Sequence, residues 1–440
     1  MDVKQANEHL LHGRLDVPGL FPHLEDLAAA PFVFEVDFGL PELPTEAGLI
    51  LVRGPRQYGK STWLESQVRS TIERFGPGTA FRLNGDEITA ADSLVEAVRD
   101  VRALYRPDAT VRRLFLDEVT AIAKWEQGLK RLIDAGELRG VLVVTTGSRA
   151  TDLRRGTERL PGRKGRLERT TYVFTPLPYS EFKKVCGEEL GADALTAYLL
   201  SGGCPLAAAE IAAHGRLPEF VIEMVRDWVL GECAMSGRNR GSLLAVWDVV
   251  LRRGGTPIGQ AAVAREAGLA NNTVAAGYLE QLADLMCLGA AHAWDADRRV
   301  AVRRRPAKFP PINLLAAVAF DRARLRSVAD FQALQPGVQG RWFEWLVAQE
   351  IFRRNARRGE PSPEILHFWS AGRHEIDFVV DPTLMIEVKR GGLDASEFAW
   401  FPRVHPQGRL LVVGRESFEA DRIRGLTMEE LLLGEWQEGR

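Results

Sequence analysis

Cysteine is scarce in this sequence: four residues among 440, at positions 186, 204, 233 and 287, with no close pair. That spacing excludes a zinc site built from paired cysteines and a disulfide framework, so the four read as buried thiols. Long apolar runs are missing too. None approaches the roughly 18 residues of a membrane span, and the first residues, MDVKQANEHLLHGRLD, are polar and mixed in charge, so the chain reads as soluble and cytoplasmic with no membrane partner. An excess of positive charge is absent: 57 Lys and Arg stand against 59 Asp and Glu, so a polyanion would have to meet a local basic patch. Lysine is rare, with nine Lys against 48 Arg, which makes each Lys informative. The eight His are scattered and suggest no site, the Trp residues read as core, and there is no internal repeat or low-complexity tract. What remains is ordinary globular composition, 45% hydrophobic, at a length that accommodates about two to four domains.

After a stretch containing Pro41 and Pro44, the run LILVR at 49–53 ends in a Gly-rich turn, and the pattern then predicts a helix from Ser61 to about Phe75. Short apolar runs recur at 79–83, 113–117, 141–146 and 171–174 with helix-length segments between them. Strands alternating with helices predict an α/β fold with a parallel sheet covered on both faces. This first domain is expected over 1–185. Residues 186–240, strand-poor and broken at Gly202-Gly203-Cys204-Pro205, predict a helical lid. Residues 241–318 predict a winged-helix-like domain: helices at 260–267 and 272–283 around a Gly-containing turn, then a basic, alternating hairpin. Residues 319–440 predict a last α/β domain with a helix over 341–357, a strand over 364–369, a hairpin over 375–389, a helix near 395–402 and a strand over 409–413.

The segment Gly54-Pro55-Arg56-Gln57-Tyr58-Gly59-Lys60-Ser61, followed by Thr62, fits G-x-x-x-x-G-K-[ST] between a strand and a helix. Glycines let backbone N–H groups wrap a phosphate, and the helix N-terminus adds its positive dipole end. Lys60 would neutralise β- and γ-phosphate oxygens and Ser61 would hold Mg²⁺, which makes ATP and Mg²⁺ the expected cofactors. Leu114-Phe115-Leu116-Asp117-Glu118 brings an acidic pair to the end of the third strand, where Asp117 would reach the metal and Glu118 would polarise the attacking water. At the tip of the next strand, Thr146 or Ser148 offers a hydroxyl to orient that water, although hydroxyls also simply cap helices. The loop from Leu153 to Arg169 carries an excess of five positive charges, and Arg163 beside Gly162 is the candidate arginine finger, against the alternative of a solvated basic loop.

In HEIDFVVDPTLMIEVKR, apolar residues alternate with charged ones on both arms. A three-residue turn at Asp381-Pro382-Thr383 would set Asp377 opposite Glu387 and Glu375 opposite Lys389, all on one face. Opposed like charges destabilise a hairpin, so Asp377 and Glu387 call for a compensating cation, Mg²⁺ or Mn²⁺, with Lys389 beside it to stabilise hydroxide or phosphate. The competing reading is a surface hairpin in which Lys389 bridges Glu375 and Glu387. In the winged-helix-like part, the helix from Asn272 would enter a major groove, while Arg298, Arg299, Arg303, Arg304, Arg305 and Lys308 would meet phosphate.

Taken together, GPRQYGKST, LDEVTAIAKWEQGLK, TTGSRATDL with ERLPGR, PLPYSEF, YLLSGGCP, GRWFEWLVAQE, HEIDFVV and IEVKRG resemble the bacterial and archaeal AAA-type P-loop ATPases that carry a C-terminal restriction-endonuclease-like, PD-(D/E)XK, domain. The resemblance spans roughly 45–415. It implies nucleotide contacts at Lys60 and Ser61, acidic catalysis at Asp117 and Glu118, a sensor near Thr146 to Ser148 and the AAA strand order. In the last domain it implies a D-x9-E-x-K nuclease site of Asp377, Glu387 and Lys389, with Glu344 on the preceding helix joining the metal shell. The expected function is ATP hydrolysis with Mg²⁺, coupled to DNA binding or cleavage. The rival readings are an ATP-controlled switch, or a DNA-binding regulator, whose nuclease-like domain is a non-catalytic platform. ATP, ADP and DNA are the expected partners. A homo-oligomeric ring accords with the AAA resemblance, while the bulk of the remaining chain favours a monomer or dimer.

Overall fold

Apolar runs buried on both faces make the strands of the first sheet. A computed structural model describes residues 1–147, 162, 165–389, 391 and 395–434; Ser148 and Arg163 lie outside the described residues. The chain divides into two units, one of Met1–Thr175 with Ala356–Gly359, the other of Pro176–Asn355 with Glu360–Arg440.

In the first unit, helices α1 (Val3–Leu11) and α2 (Pro22–Ala29) precede the alternation β1 (Gly48–Arg53), α3 (Lys60–Phe75), β2 (Ala80–Asn84), α4 (Ala91–Arg102), β3 (Arg113–Asp117), α5 (Trp125–Asp134), β4 (Leu142–Gly147) and β5 (Thr171–Val173). The strand order is β2-β3-β4-β1-β5 and every neighbouring pair is parallel. Burial explains the continuous apolar runs: Leu49–Val52, Arg113–Leu116 and the whole of β4 are buried, as strands covered on both faces must be. The covering helices have a single apolar stripe. On α5, Trp125, Leu129 and Leu132 recur at helical spacing and are buried.

The second unit begins with α6 (Tyr179–Leu190), α7 (Ala194–Ser201), α8 (Pro205–His214) and α9 (Glu219–Met235). Next come α10 (Arg240–Arg253), α11 (Gln260–Glu266), α12 (Asn272–Asp284) and the hairpin β6 (His292–Asp295) with β7 (Val300–Val302). Three helices follow, α13 (Leu314–Phe320), α14 (Val328–Gln332) and α15 (Pro336–Arg358). The last part contains β8 (His367–Ala371), β9 (His374–Ile376), β10 (Phe378–Asp381), β11 (Leu384–Val388), α16 (Phe401–Val404), β12 (Arg409–Gly414), β13 (Phe418–Ala420), β14 (Ile423–Thr427) and α17 (Met428–Leu433). One mixed sheet runs β10-β11-β12-β14-β13 and a second runs β7-β6-β8-β9. Among the described residues no helix is long and apolar enough to cross a membrane.

Three expected divisions fall inside helices: the end of the first domain near 185 lies in α6, that at 240 in the first turn of α10, and the junction at 318 in α13, whose seven residues are all buried. A wholly apolar LLAAVAF segment has no face to give to solvent, so it is core and not a linker. The basic hairpin is likewise no free wing. Strand β6 pairs in parallel with β8 through His292–His367 and Ala293–Phe368, because a lone two-stranded hairpin is marginal in water and gains from a third strand.

That junction has a titration consequence. His367 stacks on Trp294 of β6 with ring centroids 5.2 Å apart. Burial pushes its imidazole down to about 4, helped by neighbouring His292 and Arg303. The folded state therefore keeps His367 neutral while the unfolded chain takes a proton below about pH 6.5, so stability is fully present above that pH and is lost as pH falls toward 4. Discounted for the partial solvent exposure of the ring, the expected loss is on the order of 1–2 kcal/mol. Urea-unfolding midpoints at pH 7 and pH 4.5 should differ less for His367→Phe, which keeps the stack, than for the wild type. An equal drop in both would remove His367 as the cause.

Candidate nucleotide and carboxylate sites

The first site lies at the C-terminal edge of the parallel sheet, where ligands of α/β folds gather. Strand β1 ends at Arg53 and α3 begins at Lys60, so the intervening loop delivers its backbone to the first turn of a helix. Gly59 is the N-cap of α3 with φ 95°, a left-handed conformation that costs glycine nothing and turns the chain directly into the helix. Lys60 is 4% exposed, and its ammonium donates to the carbonyls of Gly54 at 3.1 Å and Pro55 at 2.7 Å. Burial pulls the Lys60 pKa down, while the nearby Glu118 and Asp117 carboxylates push it back up. Pro55 and Tyr58 are buried, Gly59, Ser61 and Thr62 are half-buried, and Arg56 and Gln57 are exposed.

Asp117 and Glu118 arrive from β3, two strands from β1 with β4 between them. Asp117 Oδ1 accepts from the Thr146 hydroxyl and, at 3.1 Å, from the Glu118 N–H. The same N–H reaches Thr146 Oγ1 at 3.1 Å. Glu118 sits at φ 46°, a left-handed position rare outside glycine, and backbone strain of this kind concentrates where a side chain must be aimed. The Thr146 hydroxyl is engaged with Asp117 and fixes the acid's rotamer. Loop lysine, helix-start serine and acidic pair thus share one sheet edge.

The second site belongs to the second unit. Glu344, Asp377, Glu387 and Lys389 line one cleft of about 600 Å³ together with Arg341 and Arg415. The hairpin pairs Phe378 with Ile386 and Val379 with Met385, the register read from the apolar alternation, but a bulge intervenes before Asp381 pairs with Leu384. The turn is therefore the two residues Pro382 and Thr383, closed by Thr383 N–H and hydroxyl bonds of 2.7 Å each to Asp381 Oδ1. Before Asp377 the strand changes partner. Glu375 lies opposite Ser370 of β8 and not opposite Lys389, because β9 joins the other sheet.

Asp377 and Glu387 are brought together: the Asp377 N–H donates to Glu387 Oε2 at 3.2 Å, and Lys389 bonds Glu387 Oε1 at 2.7 Å. Asp377 Oδ2 accepts from the Val388 N–H at 3.0 Å. The remaining Asp377 oxygen, Oδ1, meets Lys308, a residue expected to contact phosphate from the basic hairpin. Lys308, 2% exposed, sets its ammonium 3.2 Å from Asp377 Oδ1, 2.6 Å from Glu375 and 3.6 Å from Glu344. Burial opposes its charge, but Asp377, Glu344 and Glu375 outweigh it and hold the Lys308 pKa well above the usual range. Burial raises Glu344 and Glu387, and the Asp377 charge raises both further. The rarity of lysine in the chain was the signal that could have found Lys308.

Of the other expected phosphate contacts, all exposed, Arg303 is paired with Glu364 at 2.5 Å, Arg299 donates to Gln407 at 2.9 Å and Arg298 lies 4.0 Å from Asp295. Asn272, Thr273 and Val274 are exposed at the start of α12, behind an N-cap in which Asn271 accepts from Val274 N–H at 3.0 Å.

Residues 46–183 match the family model described as AAA domain. The nucleotide site therefore belongs to an AAA-type P-loop ATPase domain. No curated protein matches this chain. Among solved structures, a variant of RuvB from Thermotoga maritima is 17% identical with a TM-score of 0.31, covering 58% of this chain and 85% of its own. The Walker-type ATPase PABY2304 of Pyrococcus abyssi is 13% identical with a TM-score of 0.41, covering 68% of this chain and 94% of its own. The ORC1 protein of Aeropyrum pernix, solved in complex with DNA, is 16% identical with a TM-score of 0.33, covering 71% and 95%.

Proposed function

We propose that this protein hydrolyses ATP with Mg²⁺ and that its nucleotide state controls how the rest of the chain engages DNA. The observation that carries the reading is the convergence of Lys60, Ser61, Asp117 and Glu118 on one edge of a parallel sheet in an AAA-type domain. The donor set fits the cofactors: a buried ammonium beside a left-handed glycine suits phosphate oxygens, and a half-buried hydroxyl with an oriented carboxylate suits a hard cation. Ser61 and Asp117 would hold Mg²⁺, which when bound supplies a Lewis acid to the phosphate oxygens. Lys60 offsets charge that develops on the transferred phosphoryl group, and the loop N–H groups from Arg56 to Lys60 orient it. Glu118 takes the proton from the attacking water, and Thr146 keeps Asp117 turned toward the site.

For the remainder of the chain we propose a winged-helix-like part and a restriction-endonuclease-like domain that act as a DNA-binding platform. Exposed Arg298, Arg304 and Arg305 and the exposed start of α12 support phosphate and groove contact. Cleavage by the Asp377, Glu387 and Lys389 arrangement is the second reading, favoured by the D-x9-E-x-K spacing and by the shared cleft.

One experiment separates the two. Wild type, Lys60→Ala and Asp377→Ala are incubated with duplex and single-stranded DNA in Mg²⁺ or Mn²⁺, with and without ATP, and both anisotropy and strand integrity are followed. The expected result is intact DNA whose binding responds to ATP in the wild type but not in Lys60→Ala. Cleavage lost in Asp377→Ala would establish a nuclease instead. Binding indifferent to nucleotide would remove the coupling. Arg304→Ala with Arg305→Ala should weaken binding uniformly across sequences and lower the salt slope by roughly two.

A further inference from the structure

The PD-(D/E)XK resemblance implies a divalent ion held by Glu344, Asp377 and Glu387, and the donor set as it stands does not fit one. Each oxygen of the central pair has a protein partner: Asp377 Oδ1 meets Lys308 and Oδ2 the Val388 N–H, while Glu387 Oε1 meets Lys389 and Oε2 the Asp377 N–H. Among the described residues no three acidic, His or Cys side chains converge as metal ligands. The need for a cation between opposed carboxylates is real, but the chain meets it from within.

We propose that Lys308 is the resident cation of this cluster, its ammonium taking the position between Asp377, Glu344 and Glu375 and thereby excluding a divalent ion. Three further observations make the lysine a fixture and not a passing side chain. Its backbone is bridged to Ala291, Lys308 N–H to Ala291 O at 2.9 Å and Ala291 N–H to Lys308 O at 2.8 Å, and Ala307 is likewise bridged to Ile258. Its stem is buried, with the ammonium 5.4 Å from the Phe368 ring centroid. The preceding helices are clamped onto the helix that carries Glu344: Arg341 donates to the Arg252 carbonyl at 2.9 Å, and Gly254 lies so close to Trp345 that a Cβ there would fall 2.2 Å from the indole. An ammonium held this way supplies one positive charge and up to three donors without the six oxygen ligands that a hard divalent ion requires. A second lysine, Lys389, is 41% exposed and bonds only Glu387 among these acids, so the two lysines divide the carboxylates between them.

The inference takes the binding-platform reading of the C-terminal domain as its setting, but its test uses neither ATP nor DNA, so either can fail alone. Full-length protein without nucleotide is titrated with Mn²⁺, and free ion is followed by electron paramagnetic resonance. The wild type should bind no more Mn²⁺ than Asp377→Asn, any binding at the nucleotide loop being common to both. Lys308→Met should gain a site roughly tenfold or more tighter than any wild-type site, and Lys308→Met with Asp377→Asn should lose it again. A wild-type site that disappears in Asp377→Asn overturns the proposal, as does a folded Lys308→Met protein that gains none. Should Lys308→Met fail to fold, because it leaves buried carboxylates unpaired, the comparison of wild type with Asp377→Asn still decides.

Discussion

Lys60→Ala is expected to lower ATP turnover by about 100- to 1,000-fold, the cost of removing one preorganised group from a developing charge. The ammonium is buried and already desolvated, so its attraction for phosphate is not screened as it would be on an open loop. Its present acceptors are the carbonyls of Gly54 and Pro55 at the start of the same loop, neutral groups that a phosphate can replace with charged ones. Nucleotide affinity should fall as well, since the lysine contacts the ground state and the transition state alike. Phosphate release and fluorescent-nucleotide binding measure the two effects, and turnover within a few fold of wild type would remove the loop from the mechanism.

Glu118→Gln should separate chemistry from binding. Loss of a positioned base costs about 100- to 10,000-fold in turnover, whereas the isosteric amide leaves the site's shape and the Asp117, Thr146 and Glu118 backbone bonds in place. Nucleotide affinity should therefore stay within a few fold of wild type, and the protein should accumulate with ATP bound. If DNA engagement follows nucleotide state, this variant should hold the ATP-bound response and Lys60→Ala the nucleotide-free one, which makes the pair a direct reading of the coupling. Equal loss of binding in both variants would count against Glu118 as the base.

Much of the nucleotide site was legible in the residues because the motif is local: eight contiguous positions, a strand before them and a helix after. The acidic pair was legible for a related reason, since a strand that ends in Asp117-Glu118 exposes both at the edge where the loop lies. Thr146 was legible by position, but its bond to Asp117 was not. Its partner Asp117 is 29 residues away on a neighbouring strand, and nothing in the spacing tells which acceptor a hydroxyl will choose. In the hairpin, apolar alternation determined the pairing of Phe378 with Ile386, whereas the two-residue turn and the change of partner at β9 depend on the Asp381 side chain and on β8.

The sequence by itself determined the parallel α/β domain, its phosphate loop and acidic pair, and the gathering of carboxylates on one face of a hairpin, because each is written in short-range periodicity or in a contiguous motif. Only the tertiary structure decided that β6 joins β8, that α13 is core, and that Lys308 enters the carboxylate cluster from 69 residues before Asp377. The physical reason is the same in all three cases. A local pattern states which groups need a partner, an unpaired strand edge, an apolar helix or a buried carboxylate, but the partner is supplied by whichever distant segment the fold brings within hydrogen-bonding distance.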